Sequence, residues 1–220
     1  MRMLVGAALV GAALVALGWG RSAVAADAAT IARQGNGHGA VACQSCHGAD
    51  GAGRQGTDFP RLAGLDAAYL RKQLGDFASG ARENPVMKPI AAALGDAERQ
   101  ALADYYSKLP LPPSLAKSTA APADSVGAQL AMRGRWSDQL PGCEQCHGPG
   151  GVGVGAHFPP LAGQPATYIE AQLKAWQQGT RHNDPLELMR HLSGALSDAD
   201  ISAVASWFAA QPLRAPETTR

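Results

Sequence analysis

No charge of either sign predominates in this chain. Its 220 residues include 19 Lys and Arg against 18 Asp and Glu. A nucleic-acid partner usually requires a clustered basic surface, so this balance argues against one. The weak net charge also excludes strong long-range steering of a charged partner, although local patches stay open.

Apart from one run near the N-terminus, the sequence also contains no long apolar segment. Arg2 precedes an uncharged apolar run over 3–19, and the small residues Ala-Val-Ala follow at 23–25. This order is typical of a cleaved signal peptide. The sequence predicts a signal peptide over 1–25 and an exported, periplasmic mature chain with no membrane span. An uncleaved anchor is the alternative, because the run approaches spanning length, and peripheral membrane association stays open.

Cysteine is scarce, and its placement is informative. The four residues are Cys43, Cys46, Cys143 and Cys146. In an exported protein an even number of cysteines first suggests disulfides. Bridges between neighbours three residues apart are strained, however, and the two pairs lie too far apart for an ordinary zinc ribbon or finger. A thioredoxin-like redox site normally sits in a βαβ setting, which the sequence does not indicate.

The chain repeats itself at an offset of about 100 residues. The matched segments are Cys43-Gln44-Ser45-Cys46-His47-Gly48 with Cys143-Glu144-Gln145-Cys146-His147-Gly148, Phe59-Pro60-Arg61-Leu62-Ala63-Gly64 with Phe158-Pro159-Pro160-Leu161-Ala162-Gly163, and Met87 with Met189. Two homologous domains follow, over 26–109 and 124–220. The Pro-rich segment 110–123 between them is expected to be an extended linker, since its prolines cannot continue a helix.

Helical periodicity dominates both halves, and no sustained alternation indicates strands. The predicted helices are 28–34, 67–78 and 96–109 in the first half, and 125–133, 165–178 and 198–211 in the second. The fold class is therefore all-α. In a small domain, so few short helices are not expected to bury enough apolar surface to form a stable core. A large apolar group in the middle of each domain would supply what is missing.

The C-x-x-C-H motif identifies that group. It is the attachment signature of c-type haem: the two thiols bond the porphyrin edge, and the adjacent histidine ligates iron. Both copies occupy equivalent points of the repeat and together use every cysteine of the chain. We therefore expect two covalently bound haem c groups, with His47 and His147 as proximal iron ligands.

On these motifs the chain resembles class I cytochromes c, and more closely the dihaem cytochrome c4 family. The resemblance implies two tandem class I cytochrome c-like domains, each with a few short helices and long loops around its haem. It implies that Met87 and Met189 are the distal iron ligands, in loops just before a helix. It also implies that the carbonyls of Pro60 and Pro159 accept Nδ1–H of the two ligand histidines and orient them.

Other methionines and histidines are weaker candidates as ligands. Met132 lies before its domain's motif, has no methionine counterpart in the first half, and is expected on a packing helix. His38, His157, His182 and His191 have no histidine at the matching place in the other half, and we expect them to face solvent. His182 and His191 lie near Met189 in the sequence, so either is a competing ligand in the second domain. Tyr105 and Tyr106, matched by Trp207 and Phe208, are expected to pack in the core against the first helix and the haem edge.

The function implied is outer-sphere electron transfer without a catalytic residue. By resemblance, a quinol-oxidising complex or a dehydrogenase donates the electrons, a terminal oxidase accepts them, and the domains pack with their haems near the interface. One alternative is a dihaem enzyme, such as a peroxidase or a sulfur-compound dehydrogenase, which would need an open or unusual axial position. Another is a fixed electron-transfer subunit of a larger oxidoreductase.

Overall fold

The computed structural model describes residues 22–113, 124–184 and 186–213, and the regular secondary structure within these ranges is almost entirely helical, joined by long loops. The helices are α1 Ser22–Gln34, α2 Gln44–His47, α3 Ala67–Ser79, α4 Met87–Ala92, α5 Asp96–Lys108, α6 Val126–Met132, α7 Glu144–His147, α8 Ala166–Gln177, α9 Leu188–Gly194 and α10 Asp198–Ala209. None of the helices within these ranges is long and apolar enough to cross a membrane. Residues 1–21 of the predicted signal segment lie outside the described residues. Helix α1 begins at Ser22, which is upstream of the predicted cleavage position after residue 25.

Local capping explains where several helices begin. The Asp66 carboxylate accepts the amide of Tyr69 at the start of α3, at 3.0 Å. The Ser125 hydroxyl accepts from Ala128 at the start of α6. Ser197 and Asp200 form a reciprocal capping box at the start of α10. Such caps satisfy amides that have no partner within the helix, and they place these helices within a residue or two of the sequence prediction.

Two features differ from the sequence prediction. The first difference is that the structure has two helices, α4 and α9, that the sequence did not predict. Met87 is the first residue of α4 and Met189 is the second residue of α9, whereas both were expected in loops. Each helix has only two turns, too few for a clear periodic pattern. The second difference is a two-stranded antiparallel pair, β1 Gly134–Arg135 with β2 Leu140–Pro141. Two residues per strand are likewise too few to show alternation.

The described residues form two similar halves, each with its own apolar core. In the first half α1 packs on α5, and α3 packs on α4 and α5. In the second half α6 packs on α10, and α8 packs on α9 and α10. Tyr106 in the first core and Phe208 in the second are buried, and each makes an edge contact with the aromatic residue before it. The core packing predicted for these rings is confirmed.

The ends of the two halves also correspond. Leu111, just after α5, lies against Gly64, and Leu213, just after α10, lies against Gly163. The first residues of the predicted linker therefore pack on the first half. The rest of that linker, 114–123, is outside the described residues, so its extended form and its boundaries stay predictions.

The two halves meet across an approximately symmetric interface. The amide of Glu83 donates to the carbonyl of Thr180 at 2.8 Å, and the amide of His182 donates to that of Ala81 at 2.9 Å. These bonds place Arg82 opposite Arg181 in an antiparallel bridge. The two bridging segments occupy equivalent positions in the repeat. The same surface of each half therefore contacts its counterpart on the other half.

Candidate haem sites

Each C-x-x-C-H motif folds into a single helical turn. The amide of His47 donates to the carbonyl of Cys43 at 3.0 Å, and that of His147 donates to Cys143 at 2.9 Å. Cys43, Cys46 and His47 line one cavity of about 260 Å³ in the first half. The four cysteines are free thiols, partly exposed, so the disulfide alternative is not realised. No three His, Cys, Asp or Glu side chains cluster as metal ligands in the described ranges.

The two motif histidines are buried and oriented by a main-chain carbonyl. Nδ1 of His47 lies 2.9 Å from the carbonyl oxygen of Pro60, and Nδ1 of His147 lies 2.8 Å from that of Pro159. A carbonyl can only accept, so Nδ1 carries the proton and Nε2 keeps its lone pair. Burial lowers the pKa of both histidines despite the carbonyl, which favours the neutral imidazole. A neutral imidazole with a free Nε2 is the form that binds iron.

A glycine explains how the proline carbonyl reaches the histidine. Gly53 has φ +76°, and a Cβ atom built there would lie 2.5 Å from the amide nitrogen of Arg61. Its amide donates to the carbonyl of His47 at 2.9 Å. Only glycine allows the chain after the motif to pass this close to the Pro60 segment. Gly153 occupies the same place in the second half, with φ +88°.

Met87 lines the same cavity as the first motif. In the second half Met189 packs against the core cluster that also contacts Cys143 and Leu161. Both methionine side chains are half-buried. In the first half the structure therefore gathers a histidine, two thiols and a methionine around one cavity. In the second half Cys143 and Met189 pack against one apolar cluster, and the ligand roles of all these residues stay predictions.

A side chain from the preceding loop holds the main chain of each methionine. Asn84 Oδ1 accepts the amide of Met87 at 2.8 Å. In the second half the carboxylate of Asp184 accepts the amide of Met189. The acceptor for the methionine amide is thus a neutral side-chain amide in the first half and a carboxylate in the second.

Two buried arginines lie where the halves meet, next to the first cavity. Arg82 donates to Gln73 Oε1 at 3.0 Å and to the Tyr168 hydroxyl at 2.9 Å. Arg181 donates to Gln172 Oε1 at 3.0 Å and to Gln73 Oε1 at 3.3 Å. Burial lowers the pKa of Arg181 to about 10. In the described part of the chain, no carboxylate lies within salt-bridge distance of either guanidinium group.

Such a pair suits a cofactor that carries carboxylates. Buried charges are normally paired, and a guanidinium group binds a carboxylate through two parallel hydrogen bonds. A haem carries two propionate carboxylates, so the residues present fit the expected group. The burial of Cys143, which raises its thiol pKa to about 11, leaves it a neutral thiol suited to an apolar cavity.

The competing ligands take no part in these sites. His38, His157, His182 and His191 are all exposed, as predicted. His191 shares α9 with Met189, but a step of two residues places it on a different side of the helix. Met132 ends α6, a helix that packs on α10, as predicted, and 38% of its surface is exposed.

Several polar residues of the site were not singled out from the sequence. They are Gln73, Arg82, Asp184, Gln172 and Arg181. The signal that could have identified the buried arginines is their recurrence at matching places in both halves of the repeat. Asp184 carries no such signal. Asn84 makes the equivalent contact in the first half, but in the repeat it aligns with Asn183 and not with Asp184.

Family models match both halves. The model described as "Cytochrome c" matches residues 32–110. The model described as "Cytochrome C oxidase, cbb3-type, subunit III" matches residues 132–208.

Three similar proteins cover most of the chain. A "thiosulfate dehydrogenase electron acceptor" of Stutzerimonas stutzeri (strain A1501) is 53% identical over 199 residues, which is 90% of this chain and 92% of that protein. The structure of reduced recombinant cytochrome c4 from Pseudomonas stutzeri superposes with a TM-score of 0.72 at 31% identity, covering 84% of this chain and 97% of that one. The structure of thiosulfate dehydrogenase (TsdBA) from Marichromatium purpuratum gives a TM-score of 0.79 at 44% identity, over 89% of this chain but only 42% of that one.

Proposed function

Since this chain belongs to the dihaem cytochrome c4 family, we propose that it accepts electrons from a thiosulfate-oxidising dehydrogenase and passes them on. Its two cytochrome c domains carry two covalent haem c groups, and it transfers electrons rather than transforming a substrate. The alternative of a dihaem enzyme is not supported, because its similar relatives are electron acceptors and carriers.

The proposed iron ligands are His47 with Met87, and His147 with Met189. When bound, the haem iron supplies the one-electron ferric–ferrous couple. The chain's own contribution is to hold each imidazole through its proline carbonyl, to place a methionine in the same pocket, and to keep water away from both. The observation that carries this reading is the pair of Nδ1 contacts at 2.9 and 2.8 Å, which leave both Nε2 atoms free for metal. Histidine with methionine is the ligand set of electron carriers, and methionine raises the potential.

The interface supports transfer between the two haem sites. Tyr168, Gln172 and Arg181 of the second domain line the cavity of the first. Arg82 and Arg181 are proposed to pair with the propionates there. Because residues of both domains line this cavity, we propose that the two haems lie near the interface and exchange electrons.

A thiosulfate dehydrogenase is proposed as the donor because of what similar proteins do. The relative that is 53% identical is described as the electron acceptor of such an enzyme. The TsdBA chain, of which this chain matches 42%, bears the name of the enzyme itself. A quinol-oxidising complex as donor and a terminal oxidase as acceptor remain the further proposals from the family resemblance. The proposed location is the periplasm, reached through the signal segment at 1–25.

Stopped-flow spectroscopy tests the donor. The oxidised dihaem protein is mixed with a purified thiosulfate dehydrogenase and thiosulfate, and reduction is followed in the haem absorbance. We expect rapid reduction of both haems only when enzyme and thiosulfate are both present. Controls omit the enzyme, omit thiosulfate, or replace the enzyme by a sulfite-oxidising dehydrogenase with sulfite. Equal rates with the sulfite system would contradict a dedicated donor, and reduction by thiosulfate without enzyme would restore the enzyme alternative.

A further inference from the structure

The loop that joins β1 to β2, in the second domain, exposes a tryptophan. Trp136 begins a short 3-10 turn there, 67% of its surface is exposed, and it does not belong to the second apolar core. No other phenylalanine, tyrosine or tryptophan in the described ranges is exposed. A single exposed apolar residue is ordinary on a protein surface, so the surroundings of this ring decide whether it has a function.

The loop holds its tryptophan in a fixed conformation. Arg135, the preceding residue, donates to the carbonyl of Ala195 at 3.2 Å and to both carboxylate oxygens of Asp200 at 3.1 Å. Asp138 accepts a further hydrogen bond from Arg135. Gln139 closes the turn in the left-handed region, with φ +56°, which is uncommon for a residue other than glycine. These contacts tie the loop to α10, so little conformational entropy is left for a partner to remove.

The first domain closes the corresponding loop without an aromatic side chain. Asn36 donates to the carbonyl of Ala93 at 2.8 Å, and Ala93 matches Ala195 in the repeat. The residue after Asn36 is Gly37, where the second domain has Trp136. Because the same loop forms around a glycine, folding does not require the tryptophan. An exposed, rigidly held tryptophan is the kind of residue that dominates the binding energy of a protein interface.

The loop leads directly into the second haem attachment motif. Strand β2 ends at Pro141, two residues before Cys143. The thiols of Cys143 and Cys146 are partly exposed, and in this motif they bond the edge of the porphyrin. A protein that binds Trp136 therefore lies beside the edge of the second haem.

The charges next to the ring are already matched within the domain. The guanidinium group of Arg135 is paired with the carboxylates of Asp138 and Asp200. A partner therefore meets an apolar ring with no uncompensated charge from these three residues. Recognition at this place should depend on apolar contact and shape, and exposed charges should contribute little to it.

We propose that Trp136 is the residue through which a thiosulfate dehydrogenase docks on the second domain, with the ring inserted into an apolar depression on the enzyme. The inference rests on the proposed function. The chain named thiosulfate dehydrogenase (TsdBA) matches 89% of this chain with 42% of its own length. In that protein a covalent link keeps the matching part beside the rest of the chain. A separate electron acceptor needs a binding surface for the same purpose, and this argument selects the donor as the occupant.

Steady-state turnover of a purified thiosulfate dehydrogenase, with the dihaem protein as its electron acceptor, tests the proposal. Trp136→Ala should raise KM for the dihaem protein about tenfold, as loss of a dominant interface residue does. It should leave kcat, the haem spectra and the rate of reduction by ascorbate unchanged. Trp136→Phe should recover part of the loss. His38→Ala is the matched control, because it removes an exposed ring from the corresponding loop of the first domain.

Salt provides a second readout for the same assay. Because the contact is apolar, KM of the wild type should change less than about twofold between low and high ionic strength. A steep rise of KM with salt would show that charged residues elsewhere carry the binding, and would overturn the proposal.

Other outcomes would also overturn it. They are equal KM values for wild type and Trp136→Ala, or an equal rise in His38→Ala. An unchanged KM combined with slower oxidation by a terminal oxidase, lost binding to phospholipid vesicles or dissociation of a dimer would assign Trp136 to a different partner. If the dehydrogenase does not reduce the wild type at all, the proposed function fails as well. Normal reduction of the wild type without any effect of Trp136 would refute only this inference.

Discussion

The guanidinium group of Arg82, in the first domain, donates a hydrogen bond to the hydroxyl of Tyr168, in the second, at 2.9 Å. Arg82 also lies 4.5 Å from the centroid of the Phe77 ring. The contact thus joins a buried cation of one haem pocket to a helix of the other domain. It makes the domain interface part of the first haem site rather than a separate surface.

Removing the Tyr168 hydroxyl should weaken that interface. In Tyr168→Phe the buried Arg82 loses a hydrogen-bond acceptor, and an unsatisfied buried donor costs about 1–3 kcal/mol. We expect a lower midpoint of thermal unfolding, measured by circular dichroism of the dihaem protein. Tyr105→Phe, at a half-buried tyrosine of α5, is the matched control. An equal change in the two variants would show that the interdomain hydrogen bond contributes nothing specific.

Replacing either proposed distal ligand should open one iron and leave the other closed. In Met87→Leu or Met189→Leu the side chain keeps its volume but loses the sulfur donor. Half of the haem absorbance should become high-spin in the ferric state and bind carbon monoxide in the ferrous state. Met132→Leu, at the exposed end of α6, should behave like wild type. Full retention of the methionine charge-transfer band in Met189→Leu would shift attention to His191 or His182 as ligands.

Alanine substitutions at two glycines of one loop allow the cost of backbone strain to be measured separately from the cost of steric overlap. Gly53 and Gly56 have nearly equal φ, +76° and +75°, but a Cβ built at Gly53 meets the Pro60–Arg61 main chain and one built at Gly56 meets nothing within 4 Å. Both alanine variants should therefore carry a similar strain of about 1–2 kcal/mol. Gly53→Ala should cost roughly 1–3 kcal/mol more, as overpacking does. It should also perturb the first haem spectrum, because the Pro60 carbonyl is displaced from His47.

Chemical denaturation of the dihaem protein measures both free energies of unfolding. A similar loss of stability in Gly53→Ala and Gly56→Ala would mean that the loop relaxes around the new Cβ. In that case the close approach of Gly53 would not be what holds the Pro60 carbonyl in place.

Acid should weaken the second domain through Asp200. The hydrogen bond from Arg135 is the main cause that lowers the pKa of Asp200 to about 2; the carboxylate is mostly buried and Arg135 half-exposed. An unfolded aspartate titrates near about 3.9. The pair's stabilisation is therefore fully present above about pH 4 and is lost as the pH falls towards about 2. Because Arg135 is partly solvated, we expect only a modest stabilisation at neutral pH.

Asp200→Asn isolates this contribution. The variant should be less stable than wild type at neutral pH, and the two free energies of unfolding should converge as the pH approaches about 2. Asp198→Asn, at the exposed start of the same helix, should run nearly parallel to wild type. A gap between wild type and Asp200→Asn that stays constant down to about pH 2 would rule out the titration of Asp200 as its cause.

Local rules account for most of what the sequence predicts correctly. The caps at Asp66 and Ser125 fix helix starts within one or two residues, since a side-chain oxygen and an orphan amide are close in sequence. The C-x-x-C-H turn is likewise local. The short helices α4 and α9 and the small β pair were missed because periodicity needs more turns or residues than they have.

The sequence by itself determined the two-domain all-α architecture, two covalent haems and the cysteine–histidine motif of each site, because these depend on short motifs and on their repetition. Only the tertiary structure decided what lies between the domains and what distinguishes them. Arg82 and Arg181 become a buried pair only when matching segments of the two halves meet, at a sequence separation that no local pattern spans.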